Sequence, residues 1–314
     1  MRSYRAMAHS AFLVIAAAGL MPTEAFATEA AMGRYIPGAF AVPGIGILPP
    51  MPGVYWQSSN VYYHGEASAD LEIPIGGSTQ FGLEGDIAAT NFTGIWVPGG
   101  IELGNNLTFG TFATVPVQYM KVGASLGPLG SDDEVTSLGD IAFGPMLGWH
   151  SGTQFLTASL RIFAPTGKYD EGALANNGLN YWTFSPNLAY TYIDTTREMQ
   201  FDITGGIDIN TENPATDYTS GAMAHLDAVL TKSFGKFGVG VFGSILYQFE
   251  DDKGGAADQL DGFKGRSFAI GPVVKYTAGT EKNPINFSFS WAPEFGVKNR
   301  LEGNGFYLNI SGSF

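Results

Sequence analysis

Ile285-Asn286-Phe287-Ser288-Phe289-Ser290-Trp291 decides the fold, because apolar and polar side chains alternate without a break. Phe295 continues the apolar series and Glu294 the polar one. Phe201, Ile203, Ile207 and Ile209 repeat the pattern against Gln200, Asp202, Thr204 and Asp208, as do Trp182, Phe184, Leu188, Tyr190 and Tyr192 against Thr183, Ser185, Asn187 and Thr191. A period of two belongs to a β-strand with one apolar and one polar face, not to a helix. Such runs exceed the usual ~5–6 residues of a globular strand. They suit a tilted crossing of a hydrocarbon layer, which takes ~9–11 residues.

Twelve such segments run from residue 53 to the C-terminus, and their spacing is informative. The gaps 67–80, 124–132, 169–179 and 251–262 are long and read as loops. Ser151-Gly152, Thr195-Thr196, Phe234-Gly235 and Thr280–Lys282 are tight turns. Long and short connections alternate, as in a membrane barrel with short periplasmic turns and longer outer loops. The last segment sets Phe306, Leu308 and Ile310 against Tyr307, Asn309 and Ser311 and ends at Phe314. The sequence therefore predicts an all-β fold, a transmembrane antiparallel β-barrel of twelve strands over 53–314. A secreted β-sandwich would need more charge on its second face.

Composition agrees. Of 314 residues, 45% are hydrophobic and 14% charged, against about 25% charged in ordinary soluble domains. The 43 glycines follow no three-residue period, which excludes collagen. Acids outnumber bases 29 to 16, so nucleic acid is excluded as a partner, since phosphate binding draws on surplus Lys and Arg. The absence of Cys excludes disulfides, thiolate metal sites and thiol nucleophiles. Residues 1–27 read as a secretory signal, with Arg2 and Arg5, the apolar run Ala11–Met21 and the cleavage site Ala25-Phe26-Ala27.

Residues 28–52 form a separate Pro/Gly-rich segment. Pro37, Pro43, Pro49, Pro50 and Pro52 forbid a continuous helix or central strand. Tyr35, Ile36, Phe40, Ile47 and Leu48 nevertheless need shelter from water. The segment is expected to enter the barrel as a plug or to rest on its periplasmic rim, with insertion favoured.

A series of motifs resembles one family. Gly33-Arg34-Tyr35-Ile36-Pro37-Gly38 opens it, and Gly46–Tyr55, Gly139-Asp140-Ile141 and Ala164-Pro165-Thr166-Gly167-Lys168-Tyr169 follow. Asn180–Pro186, Glu212–Gly221 and Gly262–Arg266 complete it. The chain resembles the proteins of the meta-pathway of phenol degradation, the SphA-like outer-membrane transporters. That resemblance implies an outer-membrane barrel admitting aromatic or hydrophobic compounds, with no catalytic residues and no cofactor.

With apolar side chains facing lipid, the opposite parity faces the lumen. This assigns Glu84, Asp86, Asp140, Arg161, Asp202, Asp208, His225, Asp227, Lys275 and Glu294 to the interior. They are expected either to pair across the lumen or to form a constriction. Phe163, Met223 and Phe242 share that parity and could form an apolar track or simply fill the core. Trp149, Tyr190, Tyr192, Phe234, Trp291 and Phe314 read as interfacial girdle residues. Pro116 and Pro145 mark expected register slips.

Two chemical alternatives fail to assemble in the sequence. His225 with Asp227 lacks a recognisable Ser nucleophile, leaving a lipid hydrolase poorly supported. The loop Glu250-Asp251-Asp252-Lys253-Gly254-Gly255 lacks the terminal bidentate Glu of a calcium loop, so no metal is assigned. The expectation is a passive channel for small hydrophobic solutes in the bacterial outer membrane. Its partners are outer-membrane lipid and lipopolysaccharide, and the barrel-insertion machinery through the Phe314 strand. The competing class is a structural or adhesive barrel.

Overall fold

A computed structural model describes residues 33–314 except 73–77, 102, 105, 255–256, 258–263 and 281–282. The signal at 1–27 lies outside the described residues. Thirteen strands follow in order. The first five are β1 (Gly53–Glu72), β2 (Ser78–Val97), β3 (Leu107–Leu126), β4 (Leu129–Leu138) and β5 (Ala142–Ser151). Then come β6 (Gln154–Phe163), β7 (Thr183–Asp194), β8 (Met199–Asn210) and β9 (Met223–Phe234). The last four are β10 (Phe237–Gln248), β11 (Arg266–Gly279), β12 (Pro284–Lys298) and β13 (Glu302–Ser313).

Every pairing is antiparallel, and β1 meets β13 from Tyr55↔Ser313 to Glu66↔Glu302, which closes the sheet on itself. Strand β3 takes two partners end to end, β5 along Leu107–Thr114 and β4 along Val117–Leu126. β4 and β5 are thus two halves of one wall strand, interrupted at Gly139-Asp140-Ile141, and the wall has twelve strands. A closed barrel leaves no strand edge to seek another chain.

The polarity is inverted relative to a soluble domain. Phe92, Trp96, Leu188, Ile270 and Phe289 are exposed on the outer face. Thr183, Ser185, Thr191, Asp202 and Ser267 are buried on the inner one. A continuous exposed apolar band of this kind is the lipid-facing surface of a membrane barrel. Trp149, Tyr192, Phe234 and Phe314 are exposed near strand ends, whereas Trp291, expected with them, is exposed at the middle of β12.

Two expected loops are corrected. Residues 67–72 and 78–80 continue β1 and β2, and the gap 124–132 closes to a two-residue turn at 127–128 between β3 and β4. Strands β1, β2 and β3 are each 20 residues long, against 10 to 15 for the others. Their outer ends, joined by β4 alongside β3, project beyond the point where β13 leaves β1. Above the lipid both faces of a strand are wet, so the apolar–polar alternation that marks a strand fades there. Of the two expected register slips, the one at Pro145 is corrected, since the β5–β6 register is the same on both sides of it, at Phe143↔Ile162 and Met146↔Ser159. At Pro116, β3 exchanges β5 for β4 and the pairing moves by one residue, from Thr114↔Ala142 to Val117↔Leu138, while its pairing with β2 runs through without a shift. A further shift falls between Arg266 and Phe268, against β12, where Gly296 takes φ 62°.

Candidate functional site in the barrel interior

Residues 33–50 lie against the inner wall. Ala39 N donates to Ile36 O and Ile45 N to Val42 O. Pro37-Gly38 and Pro43-Gly44 occupy the central positions of those two turns, and both glycines have positive φ, 92° and 86°. Proline first and a left-handed glycine second is the type II arrangement. Two further bonds, Ala41 N to Gly38 O and Ile47 N to Gly44 O, continue the chain of turns. A proline-rich segment thereby satisfies part of its own backbone and leaves the rest to the wall.

The wall answers at named points. Gly44 N donates to Asp202 Oδ1 at 2.9 Å and Gly46 N to Thr191 Oγ1 at 3.0 Å. Thr157 Oγ1 donates to Gly46 O at 2.9 Å. Gly46 is required here, because a Cβ would stand 2.6 Å from Thr191 N and 2.7 Å from Tyr190 C. Leu48 fits a niche floored by Gly110 and Gly148, where a Cβ on Gly148 would lie 2.8 Å from Leu48 Cβ. Tyr307 donates to Pro37 O and Arg300 to Tyr35 O.

Tyr35, 2% exposed, sits at the centre of the segment's polar contacts. Its hydroxyl donates to Asp227 Oδ2 at 2.5 Å and lies 2.8 Å from Ser244 Oγ. Its ring stacks on His225 at 4.5 Å and 16°. Phe40 closes on the same imidazole at 5.4 Å, and the Arg161 guanidinium covers the Phe40 ring at 4.3 Å. Burial, reinforced by the Asp227 carboxylate, raises the Tyr35 phenol well above its usual range. Burial also lowers the Arg300 guanidinium from its usual value, with Glu294 opposing the shift.

A second cluster gathers motifs far apart in sequence. Asp140, in the break between β4 and β5, accepts from Gly167 N at 2.7 Å and Leu179 N at 2.9 Å, and pairs with Arg34. Arg34 also donates to Thr183 Oγ1 and Tyr181 O and lies over the Phe163 and Tyr181 rings, 5.1 Å from each centroid. Both charged side chains are enclosed, 6% and 2% exposed. Gly167 and Gly178 touch so closely that a Cβ on either would come within 2.7 Å of the other's backbone. One carboxylate thus ties the N-terminal segment, the strand break and residues 164–182 together.

The remaining lumen assignments divide. Asp202, Asp208, Met223, His225, Asp227 and Phe242 are buried on the inner face. Lys275 Nζ donates to Gln200 Oε1, and Glu294 accepts from Tyr63 and Ser267. Glu84 and Asp86 are a correction. They share the outer face of β2 with Phe92 and Trp96, whereas Ile87 and Ala89 point inward and are buried. The rule that polar residues face the lumen stops at the edge of the lipid, and these two lie beyond it.

Among the described residues His225 receives no hydroxyl hydrogen bond. Its Nδ1 is without a partner and its Nε2 lies 3.8 Å from Asp208 Oδ1, so the Ser–His constellation is not assembled. Asp252 is held by Tyr218, Gly221 N and Gln248 rather than offered to an ion. Sequence reasoning missed Ser244, Tyr63 and Arg300 as inner-wall partners. Tyr63 and Ser244 are legible from strand parity, but Arg300 sits in a connection that carries no periodic signal.

The inverted polarity, the twelve-stranded closure and the aromatic girdle define an outer-membrane β-barrel. A match over residues 69–310 places the chain in the family described as the MetA-pathway of phenol degradation, to which it belongs. Of solved structures, the COG4313 outer-membrane channel from Pseudomonas putida F1 is similar in fold, at TM-score 0.60 and 16% identity, covering 90% of this chain and all (100%) of that one. A Pseudomonas aeruginosa FadL homologue aligns at TM-score 0.47 and 10% identity, over 92% of this chain and 99% of that one. No curated protein matches the chain.

Proposed function

We propose that the protein is a passive outer-membrane channel for small hydrophobic or aromatic compounds, and that residues 33–50 plug its lumen. The observation that carries this reading is the lining. Tyr35 and Phe40 of the segment close on His225, Arg161 of the wall covers the Phe40 ring, Arg34 of the segment lies over Phe163, and Leu48 fills the niche at Gly110 and Gly148, which sets aromatic and aliphatic groups across the interior. Such a filling opposes ions and free water and favours solutes that gain from apolar contact. Membership of a phenol-degradation family supports the aromatic class. No residue is assigned a catalytic role. Lipopolysaccharide and the barrel-insertion machinery, acting on the strand that ends at Phe314, are the partners this reading requires.

The test is deletion of residues 28–50 with the leader retained. The barrel should still fold, as judged by heat-modifiable gel migration, and its single-channel conductance in planar bilayers should rise. Unchanged conductance in a folded deletion variant would place the segment outside the permeation route. Uptake of a panel of labelled aromatics, in cells with and without the protein, tests the solute class. An adhesive barrel predicts normal uptake and lost surface attachment.

A further inference from the structure

The outer face of β1 and β2 carries a row of acids. Glu66 faces a glutamate on each side, Glu84 across β2 and Glu302 across β13. Two residues along, His64 faces Asp86. Like charges directly opposite one another destabilise a ladder, so the Glu84, Glu66 and Glu302 row favours a cation close by. His64 makes the described ion pairs with these acids, its Nδ1 2.9 Å from Asp86 Oδ1 and its Nε2 3.4 Å from Glu66 Oε1. Lys121 faces Asp86 from β3, with no described ion pair to it.

One donor atom each from His64, Glu84 and Asp86 lies within 4.8 Å of the others. An ion placed among them needs only small side-chain adjustments to reach the ~2.0–2.2 Å of Zn–N and Zn–O bonds. The same carboxylates border a hollow of about 250 Å³, lined also by Lys121, Gly123 and Asp132, which leaves room for water to complete the coordination. We propose that His64, Glu84 and Asp86 form a binding site for a divalent transition-metal ion of the Zn²⁺ type, on the outer face of the projecting ends of β1 and β2. An imidazole with two carboxylates suits Zn²⁺, whereas Ca²⁺ takes six to eight oxygen ligands. The location gives the ion a mechanical role. Pairing of β1 with β13 ends at Glu66↔Glu302, while pairing with β2 runs on to Glu72↔Ser78. The ion staples β1 to β2 where β13 leaves the wall and only β1 to β4 continue.

The experiment is calorimetric titration of the full-length, detergent-folded protein, freed of any affinity tag, with ZnCl₂ and separately with CaCl₂. One equivalent of Zn²⁺ should bind, and a hundredfold excess of Ca²⁺ should not displace it. Affinity should fall tenfold or more in His64→Ala and in Asp86→Asn, and stay unchanged in His150→Ala, a histidine elsewhere on the wall. Heat-modifiable migration checks folding. If His64→Ala does not fold, Glu84→Gln at an exposed position gives the same reading. Equal Zn²⁺ affinity in the wild type and the ligand variants, or ready displacement by Ca²⁺, overturns the site.

Discussion

Asp140 shows how much one side chain can organise. Its carboxylate is enclosed, accepts two backbone N–H groups and faces Arg34. Removing one member of a buried pair strands the other charge, at about 3–5 kcal/mol. Asp140→Asn should therefore lower the temperature at which the folded band converts on gels. Arg34→Met added to it should recover part of the loss, because the stranded charge is then gone. Failure of the double variant to recover would mean that the two residues do not act as a pair. Leu48 tests packing in the same way. A methyl group on Gly148 would meet Leu48 Cβ at 2.8 Å, and overpacking costs about 1–3 kcal/mol. Gly148→Ala should push the segment off the wall and raise single-channel conductance towards that of the deletion variant. Wild-type conductance would mean that the niche does not hold the segment in place.

Among the elements, legibility in the sequence followed the lipid. Strands β7, β8 and β12 were readable because hydrocarbon on one side enforces strict alternation, and the structure places them at Thr183–Asp194, Met199–Asn210 and Pro284–Lys298. The outer halves of β1 to β3 were not, since water on both faces removes that constraint. Glu84 and Asp86 were misassigned for the same reason. The division of one wall strand into β4 and β5 was also hidden, because nothing in Gly139-Asp140-Ile141 announces that its partners lie at Arg34, Gly167 and Leu179. The motifs were visible as motifs, but only folding brought them to one point. The N-terminal segment was partly legible: its prolines excluded strand and helix, and its apolar residues demanded cover. The two Pro-Gly turns that let it satisfy its own backbone are readable from residues 37–38 and 43–44 once a turn is sought there.

At the scale of the whole molecule, the strand order sorts the connections into two sets. The start of β1, the end of β13 and the turns at 152–153, 195–198 and 235–236 share one rim. The connections 127–128, 164–182 and 249–265 share the other. A tag inserted after Gly255 should be accessible on intact cells if the second rim faces outward. Access only after disruption of the outer membrane would invert the orientation of the barrel.

The seam between β1 and β13 bears on how the protein is made. Tyr55 and Ser313 are partners across it, so the wall cannot close until the last strand is available. Residues 33–50 come shortly before β1 and bond to β6, β7, β8, β9 and β10. A finished cylinder gives such a segment no side entrance. The open sheet, curling around the segment as successive strands arrive, does. A segment bonded to those strands while the sheet is open would guide its curvature without being needed for closure, so deletion of residues 28–50 should slow formation of the heat-modifiable band and leave its final yield unchanged.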